Sequence, residues 1–136
     1  MSAGYSGTPL SKKLGIKEGI TILTIDAPEN YRELIEPLPG KATITNKKTR
    51  ELDLIHFFTN SRDDLFRGLA EYKNLIKQDG AIWVSWFKRA AKLPTEISED
   101  TVRDAALPLG LVDVKVCAID DRWSGLKLVI RKENRK

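Results

Sequence analysis

The chain has 136 residues, of which 41% are hydrophobic and 31% are charged. These values are typical of one globular domain with its own core, and no apolar run approaches the ~18 residues that a membrane span needs. The net charge of +4 is modest, and the single cysteine, Cys117, excludes an internal disulfide. No apolar stretch precedes the first lysines, so we expect no secretory signal and a cytoplasmic protein.

Residues 1–15 are rich in Gly, Ser and Pro, which predicts an irregular N-terminal arm before a single domain over residues 16–136. The sequence GITILTI at 19–25 predicts a strand that is buried on both faces. After this strand, Pro28 suits the first turn of a helix.

A short strand is predicted over Ala42–Thr45. Only seven residues separate it from the strand that follows, whereas a parallel crossover usually takes about a dozen or more. The connection is therefore either stretched and free of helix, or the short strand runs antiparallel. We favour the stretched parallel link.

The clearest predicted helix starts after Ser61, which is a good N-cap, and ends before Gly80. Its apolar stripe consists of Leu65, Leu69, Tyr72 and Ile76. The run AIWVSWF at 81–87 predicts a central strand, and Ser98 caps a further helix.

The last third of the chain predicts a hairpin. Strict alternation places one apolar set on a single face of the next strand, and this set is Val112, Val114, Val116 and Ala118. Asp113 and Lys115 would lie opposite, as in a strand near a sheet edge. Helices between successive strands thus predict an α/β fold, a mainly parallel Rossmann-like three-layer sandwich that ends in an antiparallel hairpin.

Ligand-binding candidates follow from a topological rule, because open α/β sheets bind ligands outside the carboxyl ends of their strands. The residues selected in this way are Asp26, Asn60, Ser85, Trp86 and Lys88. Asp26 could bind a ribose hydroxyl or act as a base, although we favour a helix cap. Lys88 and Arg89, which follow the same strand, could clamp a phosphate or carboxylate, or form a solvated basic loop.

The tryptophans need separate treatment. Trp83 and Trp86 lie three positions apart in one strand and therefore face opposite sides of the sheet. Trp123 lies in the turn RWSG, where it could stack on a ligand, contact the N-terminal arm or cover the end of the sheet. We favour the last of these.

We assign no catalytic residue, no metal ligand and no cofactor. His56, the only histidine, lies in an apolar strand and is expected to be a hydrogen-bonded core residue. Cys117 is expected to be buried as a small hydrophobic side chain. The sequence contains no P-loop, paired-cysteine spacing or nucleophile–base motif.

The order of elements over roughly residues 20–131, together with the string KQDGAIWVSW, resembles the Rossmann-like methyltransferase superfamily, in which a K-P-G-G turn precedes the corresponding strand. The resemblance implies a methyltransferase-like fold. The chain departs from it after the first strand, where IDAPEN replaces the glycine-rich turn that lets backbone N–H groups approach the cofactor. This departure argues against binding of S-adenosylmethionine.

A second resemblance covers nearly the whole chain. The strings GYSGTPLSKKLGIK and LGLVDVKVCAIDDRWSGLKLVIRKENR resemble a bacterial family of small proteins known only as a domain of unknown function. The resemblance implies a bacterial cytoplasmic protein and transfers no catalytic residue.

We expect the arm Tyr5–Lys13 to fold over the strand ends beside Trp86, Lys88 and Trp123 and to form a site for a small molecule or a protein partner. The full candidate set is Tyr5, Lys12, Asp26, Asn60, Ser85, Trp86, Lys88, Trp123 and Ser124. The favoured function is a non-catalytic ligand- or partner-binding domain without a membrane partner. The alternatives are a degenerate S-adenosylmethionine-dependent methyltransferase and a nucleic-acid accessory protein that uses basic loops and the tail Arg131–Lys136.

Overall fold

The structure is a computed structural model that describes residues 9–136. Its helices are α1 (Leu10–Leu14), α2 (Tyr31–Ile35), α3 (Arg62–Tyr72) and α4 (Glu99–Ala106). Its strands are β1 (Thr21–Ile25), β2 (Thr43–Thr45), β3 (Leu52–Phe58), β4 (Ile76–Phe87), β5 (Leu111–Ala118) and β6 (Trp123–Ile130).

The six strands form one mixed sheet in the order β2-β1-β3-β4-β6-β5. The first four strands in this order are parallel, and β6 lies antiparallel between β4 and β5. The predicted α/β architecture with a final antiparallel hairpin is therefore confirmed. The stretched parallel link is also confirmed, because β2 pairs in parallel with β1 and residues 46–51 reach β3 without a helix.

Two hydrophobic cores cover the two faces of the sheet and give the three layers. Helices α3 and α4 bury Leu65, Leu69 and Val102 against one face, which includes Trp86. Helices α1 and α2 pack on the other face, which includes Trp83. The prediction that the two tryptophans face opposite sides is confirmed.

The caps of the two longer helices agree with the sequence. Ser61 Oγ accepts a hydrogen bond from the backbone N–H of Asp64 at 3.2 Å, and Ser98 forms a capping box with Thr101. Each such cap satisfies a backbone donor that the first helical turn leaves free.

The predicted end of α3 is wrong. The helix stops at Tyr72, and Ile76 already opens β4. Gly80 lies inside that strand, where a Cβ atom would come within 2.9 Å of the Leu52 carbonyl oxygen. The glycine is required by the close approach of two strands and not by a helix C-cap.

The first two helices also differ from the prediction. Residues 10–14, placed in an irregular arm, form α1, and the Trp83 Nε1–H donates to the Leu14 carbonyl oxygen at 2.9 Å. Helix α2 begins at Tyr31, directly after Asn30, and Asp26 takes a left-handed φ of 56° well before it. The prediction that Asp26 caps this helix is wrong, because the N-cap position is occupied by Asn30.

A β-bulge breaks the alternation predicted for β5. The register with β6 shifts by one residue between Asp113 and Lys115. Because paired residues share a face, Val112 lies with Val129 on one face and Val116 lies with Leu126 on the other. The predicted single apolar face is therefore wrong, and Val114 and Val116 are 55% and 54% exposed.

Between residues 9 and 136, no helix has both the length and the apolar character that crossing a membrane requires.

Candidate functional site

The strand order reverses at β1, because the chain leaves β1 for β2 on one side and then returns to β3 on the other. In sheets of this kind the ligand crevice lies outside the carboxyl ends of the strands near such a reversal. The predicted site residues are distributed over several places along this edge.

The first place is the carboxyl end of β1. Asp26 lines a shallow depression of about 320 Å³ together with residues of α3. Charges there are paired within the protein, since Lys48 Nζ lies 3.2 Å from Glu71 Oε2 and Arg67 lies 2.8 Å from Asp64. The hydrogen bond to Glu71 raises the pKa of Lys48.

The residues at the end of β1 do not fit an S-adenosyl cofactor. Asp26 occupies a left-handed backbone position that glycine would leave open, and Pro28 has no N–H to donate. The residues after β2 are Asn46, Lys47 and Lys48. No carboxylate therefore stands in those positions, where a nucleotide-binding sheet of this class commonly holds one for the ribose hydroxyls.

The second place is a groove of about 710 Å³ at the carboxyl end of β4, which we call the β4 groove. Three predicted residues line it: Trp86, Lys88 and Ser124. Trp86 and Ser124 are neighbours on adjacent strands, and the chain between Leu93 and Glu99 forms the outer wall.

Asn60 forms hydrogen bonds with two segments that line the β4 groove. Its Oδ1 accepts the backbone N–H of Phe87 at 2.8 Å, and its carbonyl oxygen accepts the backbone N–H of Glu96 at 2.9 Å. Asn60 alone thus fixes both the end of β4 and the outer wall of the groove.

The acidic and basic side chains of the β4 groove differ in their pairing. Glu96 Oε1 accepts the Arg62 backbone N–H at 2.8 Å, and Glu99 Oε1 lies 3.3 Å from Arg103 Nη2. By contrast, the side chains of Lys88 and Arg89 make no hydrogen bond or ion pair with any residue from 9 to 136. The groove therefore contains two cations that have no partner among residues 9 to 136.

Trp123 covers the end of the sheet, as the sequence analysis favoured. Its ring contacts Phe58 at a centroid distance of 4.9 Å and Phe87 at 4.4 Å. Asp120 Oδ1 fixes the preceding turn by accepting the backbone N–H groups of Arg122 and Trp123. Trp123 also lines a separate cavity of about 580 Å³, which we call the hairpin cavity.

Ser85 belongs to a buried hydrogen-bonded chain and not to the groove surface. Tyr31 Oη lies 2.8 Å from His56 Nδ1, and His56 Nε2 lies 2.7 Å from Ser85 Oγ. His56 and Ser85 have no exposed surface. Burial lowers the pKa of His56 to about 3, so the ring is neutral at pH 7, and it raises the pKa of Tyr31. The prediction that His56 is a hydrogen-bonded core residue is confirmed.

The predicted arm is described only in part, and Tyr5 lies outside the described residues. Lys12 is exposed on α1, which packs on the Trp83 face of the sheet. Trp86 belongs to the opposite core. The described part of the arm and Trp86 are therefore separated by the sheet.

The basic tail lies far from the groove along the strands. The backbone N–H of Arg131 donates to the Gly110 carbonyl oxygen, and that of Lys136 donates to Gln78 Oε1 near the start of β4. The Arg131 side chain is paired with Glu133 at 3.0 Å.

Two structural features have no signal in the sequence. They are the outer wall of the β4 groove, Leu93–Glu99, and the hydrogen bond between Tyr31 and His56. The pairing of Tyr31 with His56 joins residues 25 positions apart, so no local pattern in the sequence could indicate it.

Comparison with solved structures shows the same fold in methyltransferases. A SAM-dependent methyltransferase from Aquifex aeolicus is 14% identical, with 93% of this chain and 91% of that chain covered and a TM-score of 0.66. The protein of the DhpI–SAH complex is 9% identical, with 91% of this chain and 83% of that chain covered and a TM-score of 0.62. A TehB-like SAM-dependent methyltransferase from Corynebacterium glutamicum is 12% identical over 90% and 86%, with a TM-score of 0.56. At these identities the similarity shows the fold alone, which is a divergent Rossmann-like fold.

A search of curated proteins found no match to the chain. A family model described as "Protein of unknown function (DUF3052)" matches residues 11–132, and the chain therefore belongs to that family.

Proposed function

We propose that this protein is a non-catalytic domain that binds a small molecule in the β4 groove. The observation that carries the proposal is the groove itself, which gathers Trp86, Lys88 and Ser124 at the carboxyl end of a central strand. Ligand sites in α/β sheets lie at this edge, and a volume of about 710 Å³ is in the usual range for small-molecule sites.

Catalysis has little support among the described residues. The chain Tyr31–His56–Ser85 contains a hydroxyl and an imidazole at hydrogen-bonding distance, but both groups are fully buried and no substrate atom could reach them. The residues from 9 to 136 also contain no group of three or more His, Cys, Asp or Glu side chains that could hold a metal ion.

A degenerate methyltransferase is the weaker alternative, because the turn after β1 does not fit the cofactor. A nucleic-acid accessory role is also weaker, since two cations of the basic segments, Lys48 and Arg131, are paired with Glu71 and Glu133. A cytoplasmic location remains part of the proposal, in keeping with a single cysteine whose thiol is half-buried.

A thermal-shift screen of nucleotides and metabolites tests the proposal. A ligand at 100 times its Kd should stabilise the folded state by about 2.7 kcal/mol, which raises Tm by several degrees. Ser124→Leu places a larger side chain on the groove wall and should abolish the shift. Thr43→Leu, on an exposed position of the opposite edge strand, is the matched control and should keep it.

The proposal fails if no compound raises Tm, or if Ser124→Leu keeps every shift that the unmodified protein shows. Circular dichroism of both variants establishes that they fold before the screen is repeated.

A further inference from the structure

We propose that the ligand of the β4 groove is a small organic anion, a carboxylate or a phosphate monoester, attached to a compact apolar body. The inference rests on the proposed function and adds the chemical class of the ligand.

The first argument is the asymmetry of charge pairing. Four ionisable side chains line the groove: Lys88, Arg89, Glu96 and Glu99. The two carboxylates are already engaged by the Arg62 backbone N–H and by Arg103. Because the two cations have no acceptor among the described residues, an anion is the complementary partner.

The second argument concerns how the cations are positioned. The backbone N–H of Lys88 donates to the Arg122 carbonyl oxygen at 2.8 Å, which anchors the loop to the hairpin. Lys88 is only half-exposed, and Arg89 follows it directly in a short 3-10 turn. Two adjacent positive charges on an anchored backbone can bind one anionic group with little loss of loop entropy.

The third argument is the apolar surface beside these charges. Phe87, Leu93 and Pro94 line the same groove, and Leu93 is 39% exposed. A ligand that covers Leu93 would remove exposed apolar surface from water, which favours an apolar body next to the anionic group.

The two other cavities at this edge have no such pair of adjacent, unpartnered cations. The hairpin cavity is lined by Glu29, Asp120 and Asp121 against a single cation, Arg122. In the depression at the end of β1, Arg67 is paired with Asp64. An organic anion would therefore be directed to the β4 groove and not to its neighbours.

The test uses probes that share one benzyl body and differ in charge: benzyl phosphate, phenylacetate, benzyl alcohol and benzylamine. Isothermal titration calorimetry on the full chain at low salt measures each affinity. We expect benzyl phosphate or phenylacetate, or both, to bind. The probe that binds more tightly identifies the preferred anionic group. Benzyl alcohol should bind at least about tenfold more weakly, and benzylamine should not bind.

Variants assign the binding to the two cations. Lys88→Gln and Arg89→Gln should each lower the affinity for the anionic probe by about five- to tenfold. Lys47→Gln removes the same charge from an exposed position outside the groove and should leave the affinity unchanged. The substituted side chains are at the surface, so loss of folding is not expected to confuse the result.

The outcomes separate this inference from the proposed function. If benzyl alcohol or benzylamine binds as tightly as the anions and Ser124→Leu abolishes that binding, the anion inference is overturned while the groove remains a ligand site. If anions bind but neither Lys88→Gln nor Arg89→Gln weakens them, the inference is likewise overturned. If no probe binds and the metabolite screen is also empty, the proposed function itself fails.

Discussion

The carboxyl ends of β1 and β4 lie on the same edge of one sheet but are built differently. At the end of β1, the two cations Lys48 and Arg67 are paired with Glu71 and Asp64. At the end of β4, the carboxylates are paired while Lys88 and Arg89 are not. The chain has a methyltransferase-like fold, and we propose that its ligand binds at the end of β4 and not at the end of β1.

The difference has a local physical cause at each end. In the turn after β1, Asp26 has a positive φ, and its side chain prevents the close approach to a ligand that glycine would allow. Pro28 in the same turn has no backbone N–H to donate to a ligand. Asn60 forms hydrogen bonds with both the end of β4 and the outer wall of the groove, which fixes the positions of these two segments relative to each other.

The largest effect is expected from a change in the buried chain Tyr31–His56–Ser85, which links α2, β3 and β4. His56→Leu leaves Tyr31 Oη and Ser85 Oγ without partners in the core, which should lower the free energy of unfolding by about 3 kcal/mol. Urea denaturation measures this loss. The triple variant Tyr31→Phe/His56→Leu/Ser85→Ala removes all three polar groups and should be more stable than His56→Leu alone. A triple variant less stable than the single one would contradict this account of the chain.

Acid should act on the same chain. The pKa of His56 is lowered by burial to about 3, so the folded state binds fewer protons than the unfolded state, whose histidine titrates near ~6.5. The contribution of neutral His56 is fully present above about pH 6.5 and is lost as the pH falls toward about 3. At pH 4.5 the loss should be about 2 to 3 kcal/mol.

The measurement is urea denaturation at a series of pH values. The triple variant is the control, because it lacks the histidine and should lose less stability between pH 6.5 and 4.5. Equal acid sensitivity in both proteins would assign the effect to other groups.

A smaller change sharpens the account of the groove wall. Ser98→Ala removes the capping box of α4 and should cost about 1 kcal/mol of stability. Because Ser98 also lines the β4 groove, the affinity for a bound ligand should fall with it. Thr45→Ala removes the side-chain acceptor of the Lys47 backbone N–H, on the opposite edge strand β2, and should leave that affinity unchanged. Equal losses of affinity in the two variants would contradict the assignment of the wall.

The smallest expected effect tests the end of β1. Asp26→Gly relieves a side chain at positive φ but gives the unfolded chain more freedom, so stability should change by less than about 1 kcal/mol. We also expect no thermal shift with S-adenosylmethionine in either protein. A shift that arises in Asp26→Gly would show that one side chain alone excludes the cofactor.

Much of the fold followed from the sequence because its signals were local. Ser61 and Ser98 as N-caps, and Trp83 and Trp86 on opposite faces, depend on residues close together in the chain. The bulge in β5 was missed because it is set by pairing with β6, and alternation within one strand cannot reveal it.

The candidate site was predicted only in part, for a similar reason. The topological rule selected two residues that line the β4 groove, Trp86 and Lys88, and Ser124 entered the candidate set with the Trp123 turn. The rule also selected Ser85, which strand pairing turns toward His56 in the core. Which charges are left unpaired depends on contacts such as that of Glu96 with Arg62, 34 positions away, and these require the folded chain.

The central claim is that the ligand site lies at the end of β4 and not at the end of β1. Backbone amide chemical shifts, measured by NMR during titration with a compound that raises Tm, test it most directly. The account predicts that the largest shifts occur at Lys88, Arg89 and Ser124, with little change at Asp26, Ala27 and Asn30. Largest shifts in the turn from Asp26 to Asn30 would contradict it.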